Sequence, residues 1–403
     1  MAGEPSTAST QAPPRGTRPP NRRRLILDAA GRLFAERGYR DVSMGDIADA
    51  VAVRPSALYR HFPGKQELLR EVVLTSFRAV HAALDQAAPD AGGGAMWESA
   101  RITLDHRELG VLWQHEARHL GPEALRELRA ELLRIAGLLA GHIRNRRPDL
   151  APEQAELLAW AVFSALDSVS FHRIELPREH YDRLLLDIVA RIVDADLAEC
   201  SPGRPVVNPM PSRPAVTRRD QLVEHATRLF ADRSYRGAGI EQIAAAAGIA
   251  GPSIYHHFAS KAELMTAVLQ PGADFLHEHL RRTLAATDDP AGALDELLRT
   301  YVEFGLTNPH LLELLINEVG RKPGEWRAVR RVERDYVAKW VELVRAVHPR
   351  LSDDDARVRV QAAMNIVNDL ARSPRLAGTP GLADVLHTVG AVVVELPRPN
   401  TPA

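Results

Sequence analysis

Tyr59, His61, Phe62 and Lys65 recur 196 residues downstream as Tyr255, His257, Phe258 and Lys261, at the same spacing. The lysines are the most telling members of the pair. Of 51 basic residues only four are Lys, and two of those four hold one position of a repeat, at the start of a helix. A compact ammonium at that place is suited to a DNA phosphate. The alternative is a solvated lysine two residues from Glu67 or Glu263, a spacing at which side chains share no helix face. Tyr59 and Tyr255 suit phosphate or thymine-methyl contact, with helix packing as the alternative. His61 and His257 are within reach of phosphate, and the phenylalanines are core. Arg54, Ser56, Arg60, Ser253 and His256 are candidates for base edges, because they fall on the exposed face and differ between the copies.

These residues need elements to position them. Residues 22–73 align with 218–269 without a gap, and 20 of 52 positions are identical, so the repeat is a duplication. Each copy opens on an apolar stripe at helical spacing: Ile26, Ala29, Ala30, Leu33 and Phe34, then Leu222, Val223, Ala226, Leu229 and Phe230. Gly38 ends the first helix, and its counterpart Ser234 is a poorer stop. Ser43 is a good N-cap for a second, short helix and a further candidate for DNA contact. A tight turn follows, Ala247-Gly248-Ile249 in copy two and Val51-Ala52-Val53 in copy one. Positive φ there would cost Ala52 on the order of 1 kcal/mol relative to Gly. Pro55 and Pro252 sit near the first turn of a short third helix, where a missing N–H is harmless. A short helix reached by a tight turn is the element that enters a major groove.

The rest of the chain sets bounds. With 403 residues there is room for two to four domains, and 45% hydrophobic with 26% charged residues is ordinary for a soluble globular protein. No apolar run reaches the roughly 18 residues of a membrane span, no signal-peptide core is evident, and Cys200 is the sole cysteine. A cytoplasmic protein with no membrane partner, cofactor or bound metal is expected. The net charge of −1 conceals two basic arms of about +4 each. Arg15, Arg18, Arg22, Arg23 and Arg24 precede copy one; Arg204, Arg213, Arg218 and Arg219 precede copy two. Their duplicated placement favours phosphate contact over a solvated tail and linker, with Arg22, Arg23, Arg218 and Arg219 at the head of each repeat. Strand signals are weak, and Gly or Pro breaks divide each half into helices. The expected plan is all-α: a disordered arm (1–20), a head (21–75), a helical domain (76–200), a Pro-rich linker (201–216), a second head (217–270) and a second helical domain (271–396).

Both copies resemble the DNA-binding domain of the tetracycline-repressor (TetR) family of bacterial one-component regulators. The resemblance runs through Leu33–Tyr39, Ile47-Ala48, Ala52-Val53 and Tyr59–Leu68, then Leu229–Tyr235, Ile243-Ala244, Gly248-Ile249 and Tyr255–Leu264. Ala52 and Ser234 depart from the family's glycines, and Ala57 from the hydroxyl that Ser253 keeps. The resemblance implies a DNA operator with two related half-sites, repression relieved by a small, largely apolar effector, and pairing through the last two helices of each unit. Here those are 152–173 with 177–198 and 351–372 with 380–396, apolar on Leu157, Leu158, Val162, Leu166 and on Val358, Val360, Ala363, Val367. The simplest inference is a pseudo-dimer within one chain, with a swapped two-chain dimer and further self-association as alternatives. An interaction scaffold whose heads no longer bind DNA is the alternative of another class.

The resemblance also implies an effector site in 97–147 and 289–348, where Trp97, Trp113, His115, Glu116, Glu313, Asn317 and Glu318 are candidates, with ordinary core as the alternative. Residues 115–119, His-Glu-Ala-Arg-His, fit a zinc-hydrolase pattern if both imidazoles share one helix face. The matching place in copy two holds Asn317-Glu318 and then Arg321, and Pro122 breaks the longer motif. A chance match on a helix surface or pocket wall is the reading adopted, and no enzyme activity is expected.

Overall fold

The computed structural model describes residues 22–86, 94–198, 200, 206–211, 215–319 and 326–397. The expected arm 1–20 lies outside the described residues, as do Arg204 and Arg213. Helices alone build the described chain. Unit 1 runs α1 (Arg22–Arg37), α2 (Met44–Ala50), α3 (Pro55–Tyr59), α4 (Lys65–Gln86), α5 (Gly94–Asp105), α6 (Leu109–Val111), α7 (Pro122–Arg146), α8 (Pro152–Asp167) and α9 (Arg178–Val193). Unit 2 runs α10 (Arg218–Gly237), α11 (Ile240–Ala246), a 3₁₀ turn (Gly251–His256), α12 (Lys261–Ala286), α13 (Pro290–Thr307), α14 (Pro309–Leu314), α15 (Arg327–Val347), α16 (Asp353–Ala371) and α17 (Leu382–Val393). No helix among the described residues is long and apolar enough to cross a membrane.

Each head is a three-helix core closed by the same aromatic residues. Phe34 and Phe62, and their counterparts Phe230 and Phe258, are all fully buried. The expected cap is present, for the Ser43 hydroxyl accepts from Asp46 N–H at 3.1 Å and Ser43 N–H donates to the Asp46 carboxylate at 2.7 Å. Copy two departs from expectation in its third helix. With Gly251 and Pro252 opening it, the segment winds as a 3₁₀ turn rather than an α-helix.

The two awkward residues sit where a glycine belongs. Ala52 has φ 52° where Gly248 has 72°, and Ser234 has φ 62° where Gly38 has 86°. Ser234 also has ψ 163°, a combination open essentially to glycine, and it breaks α10 three residues before its end. Replacing Ser234→Gly should therefore stabilise head 2 by about 1–2 kcal/mol, and Ala52→Gly should stabilise head 1 by about 1 kcal/mol. Thermal melts of the two variants check this; an unchanged or lower midpoint in both would contradict the strain.

The two units meet through a four-helix bundle. α8 packs on α16 and α9 on α17, and Val162, Ala165, Val358, Ala363 and Val367 are each at most 1% exposed. One hydrophobic core runs from head 1 through its helical body into the bundle helices of unit 2. The polar crossings are specific. Asn365 Nδ2 donates to the Ser164 carbonyl at 2.8 Å, and His180 Nε2 lies 2.6 Å from Asp355 Oδ1. α16 begins cleanly because the Ser352 hydroxyl accepts from Asp355 N–H and three aspartates fill its first turn. The Pro-rich linker is anchored midway, where Asn208 and Asn308 exchange side-chain hydrogen bonds of 3.1 and 3.4 Å.

A buried acid pair lies at this seam. Gln114 Nε2 donates to Asp167 at 2.9 Å and sits 3.3 Å from both oxygens of Asp369, which also accepts from Arg372 at 2.8 Å. Burial, helped by the neighbouring Asp369 charge, pushes Asp167 from 3.8 up to about 8. The folded protein thus holds a proton that the unfolded chain releases above about pH 4, so stability falls as pH rises through that window to about 8. Asp167→Asn should flatten the fall in melting temperature between pH 5.5 and 8.5 and leave the variant above the parent at the alkaline end. Parallel curves would contradict it.

Candidate nucleic-acid interface and ligand cavity

The reading segment of each head has one buried and one open face. In head 1 Leu58 and Phe62 are buried, while Arg54, Ser56, Tyr59, Arg60 and His61 are exposed. In head 2 Ile254 and Phe258 are buried and Tyr255 and His256 exposed, with Ser253 and His257 half-buried. Tyr59 and Tyr255 are 54% and 55% exposed, so helix packing does not account for them. The faces differ in charge. Where head 1 presents Arg54 and Arg60, head 2 presents Ala250 and His256.

Several basic residues turn inward instead. Lys65 Nζ donates to the Tyr39 and Val42 carbonyls at 2.6 and 2.8 Å and lies 4.3 Å from the Tyr39 ring centre. Two of its three N–H bonds are engaged, and burial lowers its pKa. Lys261 repeats the ring contact, 4.6 Å from Tyr235, and burial lowers its pKa too. Lys65 thus fastens the turn after the first helix to the start of the fourth, and its third N–H is left for the expected phosphate. The matched tyrosines, Tyr39 and Tyr235, were the sequence signal for this pairing. Lys65→Met should lower the melting temperature of head 1 and reduce the salt slope of DNA binding by about 1; an unchanged slope would leave the lysine a fastening only.

The head-of-repeat arginines behave alike. Arg23 lies over the Phe62 ring at 4.7 Å and pairs with Glu71 at 2.6 Å. Arg219 lies over Phe258 at 4.0 Å and pairs with Glu263 at 3.5 Å. Arg218 donates to the Ala247 carbonyl at 3.0 Å, and Arg22 is the half-buried first residue of α1.

Two π-turns join the helical bodies to the heads, at Leu112–Glu116 and Leu315–Val319. Glu116 is 2% exposed and accepts from Tyr39 N–H at 2.8 Å. Glu318 is 5% exposed and pairs with Arg236 of head 2 at 3.6 Å and with Arg118 of unit 1 at 3.2 Å. The π winding followed by a 3₁₀ turn at Ala117–His119 also undoes the one-face helix that the zinc pattern needs. His115 packs on Phe171 and His119 on Tyr39. Burial, with nearby arginines, holds His115 down at about 3 and His119 at about 4, so both are neutral at pH 7. No group of three or more metal-ligating side chains is assembled among the described residues.

A cavity of about 1540 Å³ opens at the seam, walled by α12, α13, α14, α15 and α16 of unit 2 and, from unit 1, by residues 35–38 and Asp41 of the head, Val111 and residues 168–175. Of the residues expected at an effector site, His115 and Glu116 line it. Trp113, Glu313, Asn317 and Glu318 do not, because Trp113 packs on Phe77 and Glu318 faces the arginines. The Trp97 side chain lies outside the described residues.

The comparisons fit this duplicated geometry. The sequence profile of bacterial regulatory proteins of the tetR family matches twice, at residues 26–72 and 222–268, the two heads just described. Both heads are thus tetR-family domains, repeated in one chain. It is 40% identical over 91 residues to the HTH-type transcriptional activator FasR of Mycolicibacterium smegmatis, covering 23% of this chain and 42% of FasR. It is 37% identical over 93 residues to the HTH-type transcriptional repressor KstR2 of the same organism, covering 23% and 45%. Each match thus spans less than half of the curated relative. Among solved structures, the ketosteroid transcriptional regulator KstR2 of Mycobacterium tuberculosis is 24% identical over 45% of this chain and 95% of that one, with a TM-score of 0.39.

Proposed function

We propose that this chain is a cytoplasmic DNA-binding transcriptional repressor that grips one operator with two heads of its own, without a second copy of itself. The observation that carries the proposal is the twofold recognition face: two exposed tyrosines at one repeat position, each backed by a buried phenylalanine, on heads joined through one internal bundle. Tyr59, Arg54, Ser56, Arg60 and His61 serve one half-site; Tyr255, Ser253, His256 and His257 serve the other. The different charges on the two faces call for related but unequal half-sites. A small effector in the seam cavity changes the setting of the heads through the π-turns that carry Glu116 and Glu318. Selecting bound fragments from the organism's own DNA at near-physiological salt tests this reading. Enrichment of one site with two unequal half-sites supports it, whereas only non-specific binding by folded protein overturns it.

A second reading, a helical interaction scaffold with a silent head, has one observation in its favour. Each head holds a non-glycine residue at positive φ, Ala52 in one and Ser234 in the other. Binding to isolated half-sites separates the readings, since a silent head protects neither.

A further inference from the structure

Between the fourth helix and the π-turn of unit 1, two aromatic side chains fill the space that in unit 2 forms part of the seam cavity. α4 and α12 keep the 196-residue offset, so Ala273 on the cavity wall stands where unit 1 has Phe77. Phe77 is 1% exposed and packs edge-on against Trp113 at 5.5 Å. Trp113 comes from the unit 1 π-turn; the unit 2 π-turn supplies Leu315 and Ile316, which both line the cavity. At this place one unit is plugged, and the other is open.

The open unit has a patterned mouth. Arg327, Arg330, Arg331 and Arg334 stand at i, i+3, i+4 and i+7 at the start of α15, on one helical face, and all four line the cavity. Like charges four residues apart repel on a helix. No carboxylate among the described residues lies within ion-pair distance of Arg327, Arg331 or Arg334. Glu333, exposed on the same stretch, also lines the cavity, and the four arginines leave this start of α15 net positive. Behind this face the wall is apolar, with Leu269, Leu276, Phe304 and Leu311. A cationic mouth over an apolar interior selects a molecule with the opposite plan.

We infer that the chain holds one ligand for its two units: an anionic amphiphile in the unit 2 cavity, its apolar part among Leu269, Leu276, Phe304 and Leu311 and its acidic group at the α15 arginines. The inference rests on the effector part of the proposed function, but its test needs no DNA. Titrating the full chain with 1-anilinonaphthalene-8-sulfonate, and separately with the uncharged N-phenyl-1-naphthylamine, should give one saturable site per chain for each dye. Ala273→Phe, which puts the unit 1 residue on the cavity wall, should weaken both. Arg327→Glu combined with Arg331→Glu, at exposed positions that leave the core intact, should weaken the sulfonate about tenfold and leave the uncharged dye unaffected. Two equivalent sites, no site, undiminished binding by folded Ala273→Phe, or equal loss of both dyes in the arginine variant would overturn the inference. DNA binding by the same samples reports separately: dye binding without operator binding keeps this site and removes the regulator.

Discussion

Disabling head 1 with Tyr59→Ala and Arg60→Ala should lower affinity for a complete operator by about 10²–10⁴-fold while leaving the isolated head 2 half-site bound as before. The size of the effect follows from linkage. Once one head is seated, the other is held beside its half-site at a high effective concentration, and that advantage vanishes when either head fails. Tyr59 and Arg60 are both exposed, and the buried Leu58 and Phe62 that hold the segment in place are untouched, so the head stays folded. Tyr255→Ala with His256→Ala should act in the same way from the other side. The salt dependence should fall further for the head 1 variant, because that face loses a guanidinium and the head 2 face only an imidazole. Equilibrium binding to full and half operators over a range of salt checks all of this. A loss of twofold or less for the head 1 variant would mean that its reading face does not touch DNA.

The second large effect concerns the seam. Arg359 of α16 is 4% exposed, and its guanidinium binds Asp187 of α9 at 2.5 Å, Glu395 at 2.7 Å and the Val393 carbonyl at 3.2 Å. Arg191 completes the ring, 2.8 Å from Asp187 and 3.2 Å from Glu395. Arg359→Met keeps the aliphatic stem but leaves two carboxylates to one arginine. Because Asp187 and Glu395 keep some contact with water, the loss should be about 2–3 kcal/mol, below the full cost of a broken buried pair. Denaturant unfolding measures it, and operator affinity should fall with it as the two units lose their fixed relation. Arg359→Lys should recover only part, because an ammonium cannot replace the fork between two carboxylates. A change under 0.5 kcal/mol would place this ring among ordinary surface ion pairs.

Much of the architecture could be read from local pattern. Helices with three-to-four-residue apolar spacing and Gly or Pro breaks show themselves within a short window, and a gap-free duplication shows itself by self-comparison. The bundle helices were legible through the family resemblance, which pairs units by their last two helices, and here those helices carry apolar faces, Leu157 to Leu166 and Val358 to Val367. Ala52 and Ser234 were legible as misfits because their repeat partners are glycines.

What escaped depends on contacts between distant residues. Lys65 was legible only as a phosphate cation because its carbonyl partners, at Tyr39 and Val42, lie more than 20 residues away. Glu318 looked like a pocket residue because nothing in its neighbourhood announces a π-turn, which aims it at Arg236 and Arg118. The one-sided cavity was hidden for a related reason. It turns on Phe77 against Ala273, just beyond the aligned repeat, and a plug is visible only once its partner Trp113 is in place.

The central claim is that one chain supplies both reading heads for one operator, and its most direct test is the stoichiometry of the operator complex. Sedimentation of the complex, combined with footprinting of the bound duplex, gives chains per duplex and half-sites protected. The account predicts one chain per duplex, protecting two unequal half-sites about one helical turn apart, roughly 34–36 Å. Two chains on the same duplex, or one chain protecting a single half-site, would contradict it.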